Sequence, residues 1–164
     1  MLGTLGDACG TPLLDVHADP DHHRAVFTLA GVPDEVEAAA RRLARAAVGL
    51  LDLTGHDGRH PRIGVLDVVP FVPFVPLGTP GSAAARRGGD LADALAARDR
   101  FCAWAAEELA LPCFRYGPLA DGSTRTLPDV RRHAWQTLVP DTGPPAPHPT
   151  AGASAVGARP VLVA

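Results

Sequence analysis

The chain has 164 residues, 46% of them hydrophobic and 20% charged, with a formal net charge of -3. That size suits a single domain with a real core; the charge argues against a basic field for nucleic acid, and no apolar run approaches the ~20 residues that span a bilayer. All the basic residues are arginine, which with abundant Ala, Gly and Pro marks a GC-rich coding background rather than a mechanism.

Cys9, Cys102 and Cys113 are odd in number and lack CxxC spacing, so neither a zinc knuckle nor a disulfide framework is expected. Cysteines of this kind usually act as small buried hydrophobes, which implies a reducing compartment. The start of the chain lacks a charged segment followed by an apolar one. A cytoplasmic protein with no membrane or nucleic-acid partner is the expectation.

Residues 1–12 (MLGTLGDACGTP) are too short and glycine-rich to predict an element. Leu13–His17 and Arg24–Gly31 are β-rich runs flanking the polar knot Asp19-Pro20-Asp21-His22-His23, which predicts an antiparallel hairpin with a longer loop. Its second arm should place Val26, Thr28 and Ala30 on one face and Phe27 and Leu29 on the other. Pro33-Asp34-Glu35 opens a helix. Val36, Ala39, Ala40, Leu43, Ala47, Leu50 and Leu51 form its apolar face, opposite Glu37, Arg41, Arg42 and Arg45.

Leu53-Thr54-Gly55 ends that helix and leads into Gly58–Phe71, a polar loop that runs into the apolar segment Val65–Phe74. Pro70, Pro73 and Pro76 cannot donate to a ladder, so the strand should end near Pro70 or lie at a sheet edge. Residues 78–89 read as a bridge. Asp90 can cap a second helix with the stripe Leu91, Ala94, Leu95, Phe101, Cys102, Ala105 and Leu109. Pro112 stops it, and Cys113–Gly117 is a short strand. Leu127–Leu138 holds a short helix capped at Thr126 or Pro128. Asp141–Gly152 has too much proline and glycine for a regular element and on composition reads as a linker, and Pro160–Ala164 reads as a final strand. The order predicts an α+β two-layer sandwich, a mostly antiparallel sheet of four or five strands with helices over one face and the other face open.

His60 stands between Arg59 and Arg62, with Asp67 a strand's reach away. It is either a general acid/base whose proton is governed by its charged neighbours or a solvated loop histidine. The arginines suit an anionic substrate. The set His17, Asp19, Asp21, His22, His23 and His56 raises a metal reading, but its spacing is poor for ligation and a polar turn is expected instead. No P-loop, GxGxxG or GxSxG arrangement is present.

Several stretches resemble the N-terminal subdomain of glutamate formiminotransferase. They are Leu14-Asp15-Val16 with Asp19-Pro20-Asp21-His22, then Leu51–Pro73 with its G-x-H-P-R-x-G-x-x-D string, then Glu107-Glu108-Leu109, Tyr116-Gly117 and Thr126-Leu127-Pro128. The last are Gly143-Pro144, His148-Pro149-Thr150-Ala151-Gly152-Ala153 and Gly157-Ala158-Arg159. The resemblance implies transfer of a formimino group from N-formimino-L-glutamate or a related amidine donor to tetrahydrofolate as co-substrate. In that family the histidine of the HPR string is the acid/base, which falls on His60, while Arg62 and Asp67 are implied substrate-carboxylate and ring-orienting groups. The folate-contacting segment falls on Gly143, Pro144, His148, Pro149, Thr150, Ala151 and Gly152, where Gly143, Ala151 and Gly152 would let a flat pterin approach.

The whole of 1–164 is then one such domain, with 1–12 a truncated remnant of the family's opening strand and helix. Val130-Arg131-Arg132-His133-Ala134 departs from the family's Arg-x-Gly-Glu pattern. The family's second subdomain lies beyond this boundary, so a homodimer or a separately encoded second subdomain would complete the site. The alternative is a stand-alone subdomain that binds folate or a protein without catalysis.

Overall fold

The computed structural model describes residues 1–58, 62–73 and 91–159. His60, Phe74, Asp90 and the strand expected at 160–164 lie outside the described residues. The order is α1 (Leu2–Cys9), β1 (Leu13–Asp19), β2 (Arg24–Leu29), α2 (Pro33–Leu50), a 3-10 turn (Leu53–Gly55), β3 (Val68–Phe71) and α3 (Leu91–Leu109). β4 (Cys113–Pro118), β5 (Thr124–Arg125), α4 (Leu127–His133) and β6 (Ser154–Ala158) follow. β1 and β2 form the expected antiparallel hairpin as a sheet of their own, and the larger sheet has the order β3-β6-β4-β5.

The α+β class stands, but the larger sheet is mixed rather than mostly antiparallel. β6 pairs parallel with both β3 and β4, and only β5 runs antiparallel. Connectivity is the reason: the chain passes through α3 between β3 and β4 and through α4 between β4 and β6, and such crossovers return a strand in the same direction. β3 lies at the sheet edge, where the missing N–H of Pro70 breaks no ladder bond. α2 and α3 stack on one side of the strands as expected. The opposite face, expected open, carries α4: Ala155 of β6 and Ala153 just before it, with Phe114 and Tyr116 of β4, pack against Val130 and Ala134. Trp135 then meets Phe114 edge-on with ring centroids 5.0 Å apart.

β6 is the element that no sequence pattern announced. Every residue of Ser154-Ala155-Val156-Gly157-Ala158 is buried, so the strand has no polar face to alternate with. Its residues are small because neighbours fill the space: a side chain on Gly157 would begin 2.1 Å from the Tyr116 ring.

Residues 1–12 do hold a helix despite the glycines, because tertiary contacts supply what propensity lacks. Leu5 and Cys9, one turn apart, are buried beside α2, and Arg42 of α2 donates to the terminal carbonyls of Ala8 and Cys9, each at 2.9 Å. Glu37 also departs from expectation. It was placed on the solvent side of α2 but is buried, because Arg41 pairs with it one turn on and Arg100 of α3 reaches it at 3.0 and 2.6 Å.

The α4 start is as expected. The Thr126 hydroxyl accepts from the Asp129 amide at 3.2 Å while the Asp129 carboxylate accepts from the Thr126 amide at 3.1 Å, a reciprocal cap. All three cysteines are free and buried. Among the described residues no helix is long and apolar enough to cross a membrane.

Phe101 is fully buried and lies between Phe71 and Trp104, with centroids at 5.8 and 5.5 Å. Phe101→Ala should cost about 3–5 kcal/mol of stability in urea unfolding.

Candidate functional site

The polar loop of the sequence reading and the Pro/Gly segment that follows α4 are stitched together by backbone hydrogen bonds. Val65 N–H donates to Ala151 O at 3.0 Å, Ala153 N–H to Ile63 O at 2.8 Å, Ala155 N–H to Asp67 O at 2.9 Å and Leu53 N–H to Thr150 O at 2.7 Å. The segment 141–152, which composition reads as a linker, thus has no helix or strand yet is a fixed loop. Buried backbone groups need partners, and Cys113 supplies them at the start of the segment and Leu53 and Val65 at its end.

Gly64 of the motif is explained by this contact. A Cβ there would lie 1.9 Å from Ala153 O and 2.6 Å from Ala151 O. Gly152 answers it from the other side, with φ +70 and a Cβ position 2.3 Å from Ile63 O. At Gly143, φ is +88 and the Cβ position is 2.9 Å from Leu111 O. At all three glycines the Cβ position is occupied by the chain's own carbonyl oxygens; Ala151 and Gly152 are buried, whereas Gly143 is exposed. Their smallness serves loop packing. The exposed members of the loop are Gly143, Pro145, Ala146, Pro147, Pro149 and Thr150, with Pro144 and His148 half-buried.

His148 fastens the tip of that loop. Its backbone exchanges hydrogen bonds with Gly152, N–H to O at 2.8 and 3.0 Å, and its Nδ1 accepts from Ala151 N–H at 3.1 Å. A nitrogen accepting from an amide carries the lone pair, so the ring proton sits on Nε2.

Arg62 and Asp67 hold different parts of the corner. Asp67 Oδ1 accepts from Ile63 N–H at 2.9 Å, closing the turn after the HPR string, and Oδ2 takes Arg131 of α4 at 2.5 Å. Arg131, which sequence reading noted only as a departure from a pattern, is therefore part of the corner. Its 64-residue separation from Asp67 leaves no local signal. Arg62 donates through Nε to His56 Nε2 at 3.0 Å and through Nη2 to His22 O at 2.5 Å. Burial lowers its affinity for a proton, Asp67 raises it, and Arg24 and Arg131 lower it again, so among the described residues three guanidinium groups act on one another here beside Asp67.

The polar knot of the hairpin docks here. Asp19 accepts from the His22 amide at 3.0 Å and pairs with the His22 ring at 2.7 Å. The rings of His23 and His56 stack at 5.3 Å. Among the described residues no group of three or more His, Cys, Asp or Glu could hold a metal ion. Asp19 titrates below the usual carboxylate range, first because of the His22 amide. A depressed folded value means its stabilisation is present above the unfolded value of about 3.9 and is lost as pH falls through the folded one. The difference in thermal midpoint between the wild type and Asp19→Asn should accordingly shrink on acidification through that window.

An α+β subdomain that pairs an arginine-bearing loop with a Pro/Gly loop at one corner of its sheet is the framework these observations define. The family model described as formiminotransferase domain, N-terminal subdomain, matches residues 4–159. A formimidoyltransferase-cyclodeaminase of Mus musculus is 37% identical over 165 residues, 94% of this chain and 28% of the relative. Glutamate formimidoyltransferases of Streptococcus pyogenes serotype M1 and Thermoplasma acidophilum are 34% and 32% identical, over 100% and 93% of this chain. The chain belongs to the formiminotransferase family and matches its N-terminal subdomain. It spans 54% and 50% of those two microbial relatives, and under a third of the animal one.

The loop contact admits a direct check. Gly64→Ala forces its methyl into two carbonyl oxygens and should lower stability by at least about 2 kcal/mol, read by thermal unfolding, whereas Gly3→Ala, with nothing within 4 Å of the new methyl, should not.

Proposed function

We propose that this chain supplies the N-terminal half of a formimidoyl-transfer site. The group moves from N-formimino-L-glutamate, or a related amidine donor, to tetrahydrofolate as co-substrate. Family membership supports the reaction class, and the observation that carries the reading is the pairing of 63–67 with 150–155, which makes one unit of the motif loop and the Pro/Gly loop.

In this reading His60, two residues before Arg62 in the chain, is the general acid/base. It takes the proton from the attacking folate nitrogen and returns one to the departing glutamate nitrogen as the tetrahedral intermediate collapses. Arg62, with Arg24 and Arg131 in electrostatic reach, binds donor carboxylate; Asp67 orients the His60 ring and, through Arg131 and the Ile63 amide, holds the loop that carries it. Folate lies against Gly143, Pro144, His148, Pro149 and Thr150, and the buried Ala151 and Gly152 set the shape of that loop from beneath. The remaining wall comes from a second subdomain or from a second copy of the chain. Three buried free thiols suit the cytoplasm.

Titration with tetrahydrofolate or folinic acid should show saturable binding, and no heat or fluorescence change at millimolar ligand overturns the folate reading. Formimino transfer should fall at least ~100-fold in His60→Ala. Equal rates would remove His60 from its role, and folate binding with no transfer by the wild type would assign the chain to a non-catalytic folate-binding module.

A further inference from the structure

His23 of the hairpin turn and His56 of the 53–58 loop form a hydrogen-bonded file that ends on Arg62, and its polarity is fixed by chemistry. A guanidinium has donors only. Arg62 Nε–H therefore makes His56 Nε2 the acceptor, 3.0 Å away. A neutral imidazole with its lone pair on Nε2 carries its proton on Nδ1, and His56 Nδ1 lies 3.2 Å from His23 Nδ1. His23 Nδ1 is then the acceptor, and its own proton sits on Nε2. The two ring planes are nearly parallel, 11° apart, with centroids 5.3 Å apart.

We propose that His56, backed by His23, is a positioning residue for Arg62, holding the guanidinium in its binding orientation while both rings are neutral. The inference rests on Arg62 binding donor carboxylate as proposed above. Arginine loses much side-chain freedom when it clamps a ligand, and a side chain already held in place loses less. The His22 carbonyl fixes Nη2 from the hairpin side, so the turn and the 53–58 loop grip the guanidinium between them.

The file also states when the grip fails. A second proton on His56 removes the Nε2 lone pair and sets a cation against Arg62. A second proton on His23 sets an N–H against the His56 N–H, and Asp57 Oδ1, 3.4 Å from His23 Nδ1, is placed to receive it. Among the described residues, the other charged groups of this corner are Asp19, paired with His22 and Arg24, and Asp67, Arg24 and Arg131, which act on Arg62. None of these carboxylates substitutes for the His56 lone pair in the hydrogen bonds that Arg62 makes here.

Two substitutions separate the hold from mere packing. His56→Phe keeps a ring to stack on His23 and removes both nitrogens; His56→Gln offers an amide oxygen to Arg62 and an amide N–H to His23, and cannot take a proton. His56→Phe should raise KM for N-formimino-L-glutamate about tenfold with kcat within about twofold. The wild-type KM should rise on acidification, and His56→Gln should restore KM at neutral pH and abolish that rise. Unchanged KM in His56→Phe, or the same acid dependence in His56→Gln, overturns the proposal. Long-range ¹H–¹⁵N spectra of the wild-type histidine side chains read the file without turnover. His56 protonated on Nδ1 and His23 on Nε2 support it, and His56 protonated on Nε2 overturns it. The stated tautomers together with no formimino transfer by the wild type would overturn the functional reading and leave the hold on Arg62 standing.

Discussion

The larger sheet and the corner beside it lean on the backbone pairing of β6. The strand is the middle of the sheet, takes β3 on one edge and β4 on the other, and is buried on both faces by α3 and α4. A strand in that position satisfies its amides by ladder bonds alone, because water cannot reach them. The residues just before it, 150–153, extend the same ladder to the loop that carries Arg62 and Asp67. The corner proposed as a site is thus a continuation of the core ladder, which is why a Pro/Gly segment can hold a shape there.

That dependence also orders the charges. Loop 62–67 is pinned through its backbone, so its side chains can be shared outward: Asp67 to α4 through Arg131, Arg62 to the hairpin through His22 and His56. Three elements far apart in sequence meet there by side-chain pairing, and the pairing is partly buried. Such contacts exceed a surface ion pair in value because leaving one member unpaired is costly. In the proposed reaction, the benefit is an arginine already oriented before a carboxylate arrives.

Much of the architecture was legible beforehand. The hairpin with its inward Phe27 and Leu29, α2, α3, the Thr126 cap and the edge position of the Pro70 strand each follow from a local pattern. The motif string Gly58–Asp67 pointed to the family that the comparisons show. What stayed hidden has one cause. α1 needs Arg42, Glu37 needs Arg100, Asp67 needs Arg131 and Arg62 needs His56; the first three partners lie at least thirty residues away, and the fourth lies across a loop whose course no periodicity encodes.

The amino-acid sequence by itself determined the hairpin, the helices α2, α3 and α4, the apolar stripes of α2 and α3 and the family, since these rest on short-range spacing and on a contiguous motif. Only the tertiary structure decided that the sheet is mixed, that SAVGA is its central strand, that the Pro/Gly segment is a fixed loop and that the glycines serve the chain's own backbone. Those features depend on which distant backbone groups satisfy one another, and a small residue reads the same in a flexible linker as in a crowded strand until the neighbour that crowds it is known.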